Sequence, residues 1–107
     1  MKRWTLLLSL VAVLASPISH ASFIVYGSGL DSCGSWVEHR KTTSDWYQAG
    51  QWINGYLTAA VDQTTLEVKE VDADAILIWV DNYCQANPLD NVLQAARTLL
   101  RAMLVES

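Results

Sequence analysis

From residue 45 onward, apolar side chains recur every three or four positions, the period of a helix with one buried face. The spacing predicts a helix from about Asp45 to Asp62, with Trp46, Ala49, Gly50, Ile53, Leu57 and Ala60 along one stripe. Gly50 and Gly55 each lower helix propensity by about 1 kcal/mol relative to Ala. Both are therefore expected where another helix crosses too closely for a side chain. The pattern lapses from Gln63 to Val71, a loop. Asp72 and Asp74 are placed to cap and charge a next helix, whose buried face is expected to hold Ala75, Ile76, Trp79, Val80, Tyr83 and Cys84 before it ends at Asn87. The run Asn87-Pro88-Leu89-Asp90 reads as a further helix start, with Asn87 as N-cap and Pro88 in the first turn. That last helix should bury Leu89, Val92, Leu93, Ala96, Leu99, Leu100, Met103 and Leu104. Asp90, Gln94, Arg97 and Arg101 should face away.

The N-terminal half is less periodic. Ser22 to Asp31 gives a short apolar segment and a glycine-rich turn, expected as a strand or coil leading into the domain. Asp31 or Ser32 then caps a short first helix through Cys33, Trp36, Val37 and Arg40, which stops at the Thr42-Thr43-Ser44-Asp45 cluster. Ahead of all this, two positive charges at Lys2 and Arg3 precede an apolar run from Leu6 to Ala15, then Pro17 and the small residues around Ala21. That order is a secretory signal, with cleavage expected after Ala21. The apolar run falls short of the ~20 residues a bilayer span needs. The expected organisation is a signal peptide at 1–21 and one helical domain at 22–107, with no membrane association after cleavage and a periplasmic or secreted location.

Export changes the charge balance. The full chain carries a formal net charge of -4. Without residues 1–21, five Lys/Arg face eleven Asp/Glu, a net charge of -6. An acidic chain with no basic cluster repels phosphate backbones, so nucleic acid is not an expected partner. An 86-residue domain has a marginal core. Its two cysteines, Cys33 and Cys84, are an even count in a chain expected to reach an oxidising compartment, which predicts one disulfide between them.

No constellation for catalysis stands out. His39 is the one histidine after Ala21, and its neighbours Glu38 and Arg40 point in other directions on a helix, so a solvated side chain is expected and not a dyad. Glu67, Glu70, Asp72 and Asp74 lack the twelve-residue loop and central glycine of a calcium site and read as helix capping plus a solvated face. Asp81-Asn82 reads as a polar face. No cofactor, metal site or enzyme activity is expected. The aromatic content is the distinctive feature: Trp36, Trp46, Trp52 and Trp79 with Tyr26, Tyr47, Tyr56 and Tyr83. Core packing accounts for several. Trp46, Tyr47, Trp52 and Tyr56 on the second helix are the candidates for contact with a protein partner, because Trp and Tyr bury much area at small entropic cost.

The motif Cys33-Gly-Ser-Trp, the Gly-aromatic pair in Trp52-Ile-Asn-Gly-Tyr-Leu-Thr-Ala and the run Asp81-Asn-Tyr-Cys-Gln-Ala-Asn-Pro before a final helix resemble the HdeA family of periplasmic acid-stress chaperones. The resemblance spans most of residues 22–107. It implies an all-α four-helix bundle with one disulfide at Cys33 and Cys84, a homodimer at neutral pH, and acid-triggered exposure of apolar surface that holds unfolded clients. A second resemblance is to the exported immunity proteins that neutralise type VI secretion amidase toxins. It implies an acidic surface and aromatic edge that plug a toxin's active-site cleft.

Overall fold

The computed structural model describes residues 23–42 and 44–105; the expected signal peptide and its cut lie outside them. Four helices form the domain: α1 Cys33–His39, α2 Asp45–Gln63, α3 Ala73–Ala86 and α4 Val92–Met103. Ser32 caps α1 by accepting from the Ser35 backbone N–H at 3.0 Å. Asp72 caps α3 in the same way through Ala75. At the start of α2 the Ser44 side chain makes no capping bond, and Thr42 Oγ1 accepts from Asp45 N at 3.3 Å.

The last helix begins later than its sequence suggests. Asn87 is the C-cap of α3, and its backbone N–H donates to the Tyr83 carbonyl. The N-cap of α4 is Asn91, whose side chain accepts from Gln94 N while Gln94 Oε1 accepts from Asn91 N, both at 2.9 Å. This reciprocal box satisfies two N–H groups and prevails over the weaker Asn-Pro signal. Pro88 and Leu89 consequently form a turn, and Leu89 is 97% exposed instead of buried. Asp90, expected to face solvent, is half-buried and accepts from the Tyr83 hydroxyl across the α3–α4 turn.

Cys33, Trp36, Ile53, Leu57, Ile76, Val80, Cys84, Val92, Ala96 and Leu99 belong to one continuous core. Burying a side chain such as Ile53 or Val80 contributes about 1.5–3 kcal/mol relative to leaving it in water. Ala95 and Leu77 are buried although neither stood on the expected stripes. Gly50 does sit at a crossing: a Cβ there would lie 3.3 Å from Leu77 Cδ2 on α3. Gly55 does not. It is exposed, with nothing within 4 Å of such a Cβ, because position 55 lies opposite the buried stripe.

Cys33 and Cys84 are bonded, with their Cα atoms 4.7 Å apart, and tie α1 to α3. Backbone pairing ties the starts of α1 and α4 as well: Cys33 N donates to the Asp90 carbonyl at 2.8 Å and Val92 N to the Asp31 carbonyl at 2.9 Å. Phe23–Tyr26 is irregular coil leading into a 3-10 turn at Ser28–Leu30. The 64–72 loop is also anchored. Lys69 N donates to the Met103 carbonyl at 2.7 Å and Val105 N to the Glu67 carbonyl at 3.0 Å, an antiparallel bridge centred on Val68 and Leu104.

Candidate protein-binding surface

The disulfide sets the register of α1 against α3. Trp36 lies three residues after Cys33 and Asp81 three before Cys84, so two antiparallel helices joined at that bond bring them side by side. Asp81 Oδ1 accepts from Trp36 Nε1 at 2.8 Å and from Arg40 Nε at 2.8 Å, and Oδ2 accepts from Arg40 Nη2 at 2.9 Å. Asp81 is thus no solvated polar face; it is the hub of the α1–α3 seam. Trp36 is 1% exposed and has its one donor satisfied there. The hydrogen bonds to Asp81 raise the Arg40 pKa from its ordinary value, against the opposing effect of burial. The guanidinium also lies over the rings of Trp36 and Trp46, 5.8 and 5.0 Å from their centroids. This reaches from the seam to α2.

The four aromatic residues proposed for partner contact do not share one surface. Trp46 is half-buried beneath Arg40 and meets Tyr47 edge-on at 5.9 Å, and Tyr47 is 55% exposed. Trp52 and Tyr56 stack with centroids 5.4 Å apart on the opposite flank of the buried stripe. Trp52 is occupied internally, donating through Nε1 to the Tyr26 carbonyl at 2.6 Å. Gly27, at φ +82°, and Gly29 let the lead-in chain lie flat on this indole; a Cβ on Gly29 would come within 2.5 Å of Trp52 Cζ2. Phe23, Ile24, Tyr26 and Leu30 on this lead-in chain face outward. A second stack, Trp79 on Tyr83, lies on α3. Donation of the Tyr83 hydroxyl to Asp90 raises its pKa above the ordinary tyrosine value, with burial acting in the same direction.

A groove of about 600 Å³ opens between α2, the 64–72 loop, the start of α3 and the end of α4. Its floor is apolar: Leu57, Val61, Val68, Val71, Ile76 and Met103. The bridge from Val68 to Leu104 fixes the loop as one wall. At one side, Asn54 Oδ1 is buried without a hydrogen-bond partner. In the sequence Asp81 reads only as a polar face, and Asn54 carries no signal. Asp81 is placed by the pairing of α1 with α3, and the groove by the loop, and periodicity encodes neither.

Elsewhere, Glu38 pairs with Lys41 at 2.9 Å on the surface, and His39 is half-buried at the end of α1. Among the described residues no three His, Cys, Asp or Glu side chains gather as a metal site, and no helix is long and apolar enough to cross a membrane. Comparison with protein-family models, curated proteins and solved structures finds no match for the chain.

Proposed function

We propose that this chain is an exported, non-enzymatic domain of the cell envelope that works by binding protein, in the manner of the HdeA-like acid-stress chaperones, needing no cofactor. The observation that carries the reading is the seam around Asp81. Strong acid neutralises carboxylates in general, and this seam stands on a carboxylate that accepts three hydrogen bonds, two of them from Arg40. Arg40 and Lys41, the charged groups beside Asp81 in the hollow between α1 and α3, then have no anion facing them. With the carboxylates neutralised, the chain's surplus of acidic groups gives way to net positive charge, which adds self-repulsion. The Cys33–Cys84 bond does not titrate, so the seam loosens without separating and bares Trp36 and Trp46 to unfolded clients. A homodimer at neutral pH belongs to this reading, as the resting form that shields apolar surface.

The test is client protection. The protein purified after export is expected to suppress light scattering from an unrelated aggregating protein at about pH 2–3 and not at pH 7. If the client precipitates at the same rate in its presence, the chaperone reading falls. The groove favours a second reading, an immunity protein or inhibitor that neutralises a specific exported toxin such as a cell-wall amidase, since a preformed groove serves a folded partner at neutral pH. That reading expects tight one-to-one binding at pH 7, and a toxin gene beside this one is its cheapest indication.

A further inference from the structure

The lead-in chain is attached to the domain quite differently from the helices it crosses. Residues 23–30 form coil and the 3-10 turn at Ser28–Leu30, which packs on both α2 and α4. Their inner side is fitted to one residue. Trp52 Nε1 donates to the Tyr26 carbonyl at 2.6 Å, and a Cβ on Gly27 or Gly29 would lie 2.8 or 2.5 Å from the indole. Their outer side is apolar too, with Phe23, Ile24, Tyr26 and Leu30 at 63, 73, 80 and 62% exposure. Among the described residues, the bond from Trp52 is the one hydrogen bond that joins 23–30 to the helices. From Asp31 onward the chain is fixed: its carbonyl accepts from Val92 N, Cys33 N donates to the Asp90 carbonyl, and the disulfide follows. A segment held by one hydrogen bond beyond a firm anchor is the kind of element that opens locally, without unfolding the rest. What it leaves behind is an indole with a free N–H, stacked on Tyr56, a surface suited to an extended backbone.

We propose that residues 23–30 are a strap, hinged at Asp31, that closes a peptide seat on Trp52 and yields it to an extended apolar segment of a partner polypeptide. The strap itself shows what the seat accepts: a backbone carbonyl for Trp52 Nε1, and glycine where the chain crosses the ring. The partner segment is therefore uncharged and extended, with glycine between bulky apolar residues, as in Val25-Tyr26-Gly27-Ser28-Gly29-Leu30. No Asp, Glu, Lys, Arg or His lies between Ser22 and Leu30, so the strap carries no charge for acid to change. It is displaced by competition, and its tether gives it an effective concentration on the order of millimolar that a partner must overcome. The proposal rests on reading the chain as a protein-binding domain and names the chemistry of its partner. It operates at neutral pH, apart from the Asp81 seam.

The experiment follows the indole N–H signals of the isotope-labelled exported protein at pH 7, first by hydrogen exchange at urea concentrations below the unfolding transition. Trp52 Nε1–H is expected to exchange at least about a hundredfold faster than Trp36 Nε1–H, which is held in the seam, and at a rate that urea does not change. A Trp52 rate that rises with urea in step with that of Trp36 would make the strap inseparable from the fold and overturn the proposal. In the second step the capped peptide Phe-Ile-Val-Tyr-Gly-Ser-Gly-Leu is titrated in. Gly29→Val, whose side chain has no room against the indole, should free the seat and bind this peptide at least about tenfold more tightly than the native chain, with a shift of the Trp52 indole signal. The same peptide with alanine at both glycines should bind at least about tenfold more weakly, and so should the native peptide to Gly29→Val carrying Trp52→Phe. Loss of the helices in Gly29→Val, equal binding of the two peptides, or no binding up to about 10 mM would overturn the proposal. Client protection at acid pH is read separately. Local opening and peptide binding without that protection would leave the strap standing and remove the chaperone reading; the reverse result would remove the strap alone.

Discussion

The two ends of α3 meet the rest of the bundle in opposite ways. Toward its C-terminus, Asp81 and Cys84 meet α1 through a disulfide, a bidentate ion pair and a buried indole whose N–H is satisfied. Toward its N-terminus, Ala73 and Ile76 border an open groove beside a carbonyl oxygen with no donor. The first end holds the fold together. The second is left unfilled, and a small domain can tolerate that because stability is concentrated elsewhere, as it commonly is in proteins that bind.

The largest effects should come from the closed end. Replacing Cys33 and Cys84 together by Ser opens a loop with 51 residues of sequence separation and is expected to cost about 4 kcal/mol in urea unfolding. A loss under about 1 kcal/mol would mean that the seam stands without its covalent bond. Asp81→Ala leaves Trp36 Nε1 and Arg40 without their acceptor and should cost about 3 kcal/mol. Asp81→Asn keeps an acceptor for the indole and should cost roughly half as much. Equal losses would show that the charge, not the hydrogen bond to Trp36, holds the seam.

The contrast sharpens when similar substitutions are placed at both ends. Val80→Ala, in the fully buried core, should cost about 2 kcal/mol, and Val61→Ala, on the groove, less than 1 kcal/mol. If the two match, the groove is as tightly packed as the core. Gly55→Ala should add about 1 kcal/mol of stability, whereas at Gly50 the helix gain is offset by the approach to Leu77. The smallest effect is alkaline. The Tyr83 hydroxyl, with its raised pKa, contributes stability that is complete below the ordinary tyrosine value of about 10 and is lost as pH rises through the folded value. Denaturation midpoints measured from pH 9 upward should therefore fall more steeply for the native chain than for Tyr83→Phe.

The closed end was largely legible in the sequence and the open end was not, for a physical reason. Two cysteines in a chain expected to be exported leave one pairing, and the helical stripes through Ile53, Leu57, Val80 and Leu99 follow from periodicity. The boundary between α3 and α4 misled because Asn87-Pro88 and Asn91-Gln94 are both capping signals, and the second satisfies more N–H groups. Asp81 looked like any exposed acid, since a hydrogen bond between residues 45 positions apart leaves no periodic trace. Of the aromatics, Trp46, Tyr47, Trp52 and Tyr56 are the four that the sequence offers for partner contact. The lead-in chain takes up Trp52, and only the approach of Gly27 and Gly29 to its ring reveals this. The groove arises from a loop pinned by two backbone hydrogen bonds to the end of α4, a pairing that loop composition does not specify.

The proposed chaperone function requires that acid loosen the Asp81 seam while the disulfide keeps the domain together. Its most direct test is a pH titration of the disulfide-intact protein, following near-ultraviolet circular dichroism, far-ultraviolet circular dichroism and binding of an apolar dye. Between about pH 4 and pH 2 the near-ultraviolet signal of packed tryptophan should collapse and dye binding should rise, with most helix retained. Asp81→Asn should show the transition begun at higher pH. A protein that keeps its near-ultraviolet signal and excludes the dye down to pH 2 does not open in acid, and the chaperone function then falls.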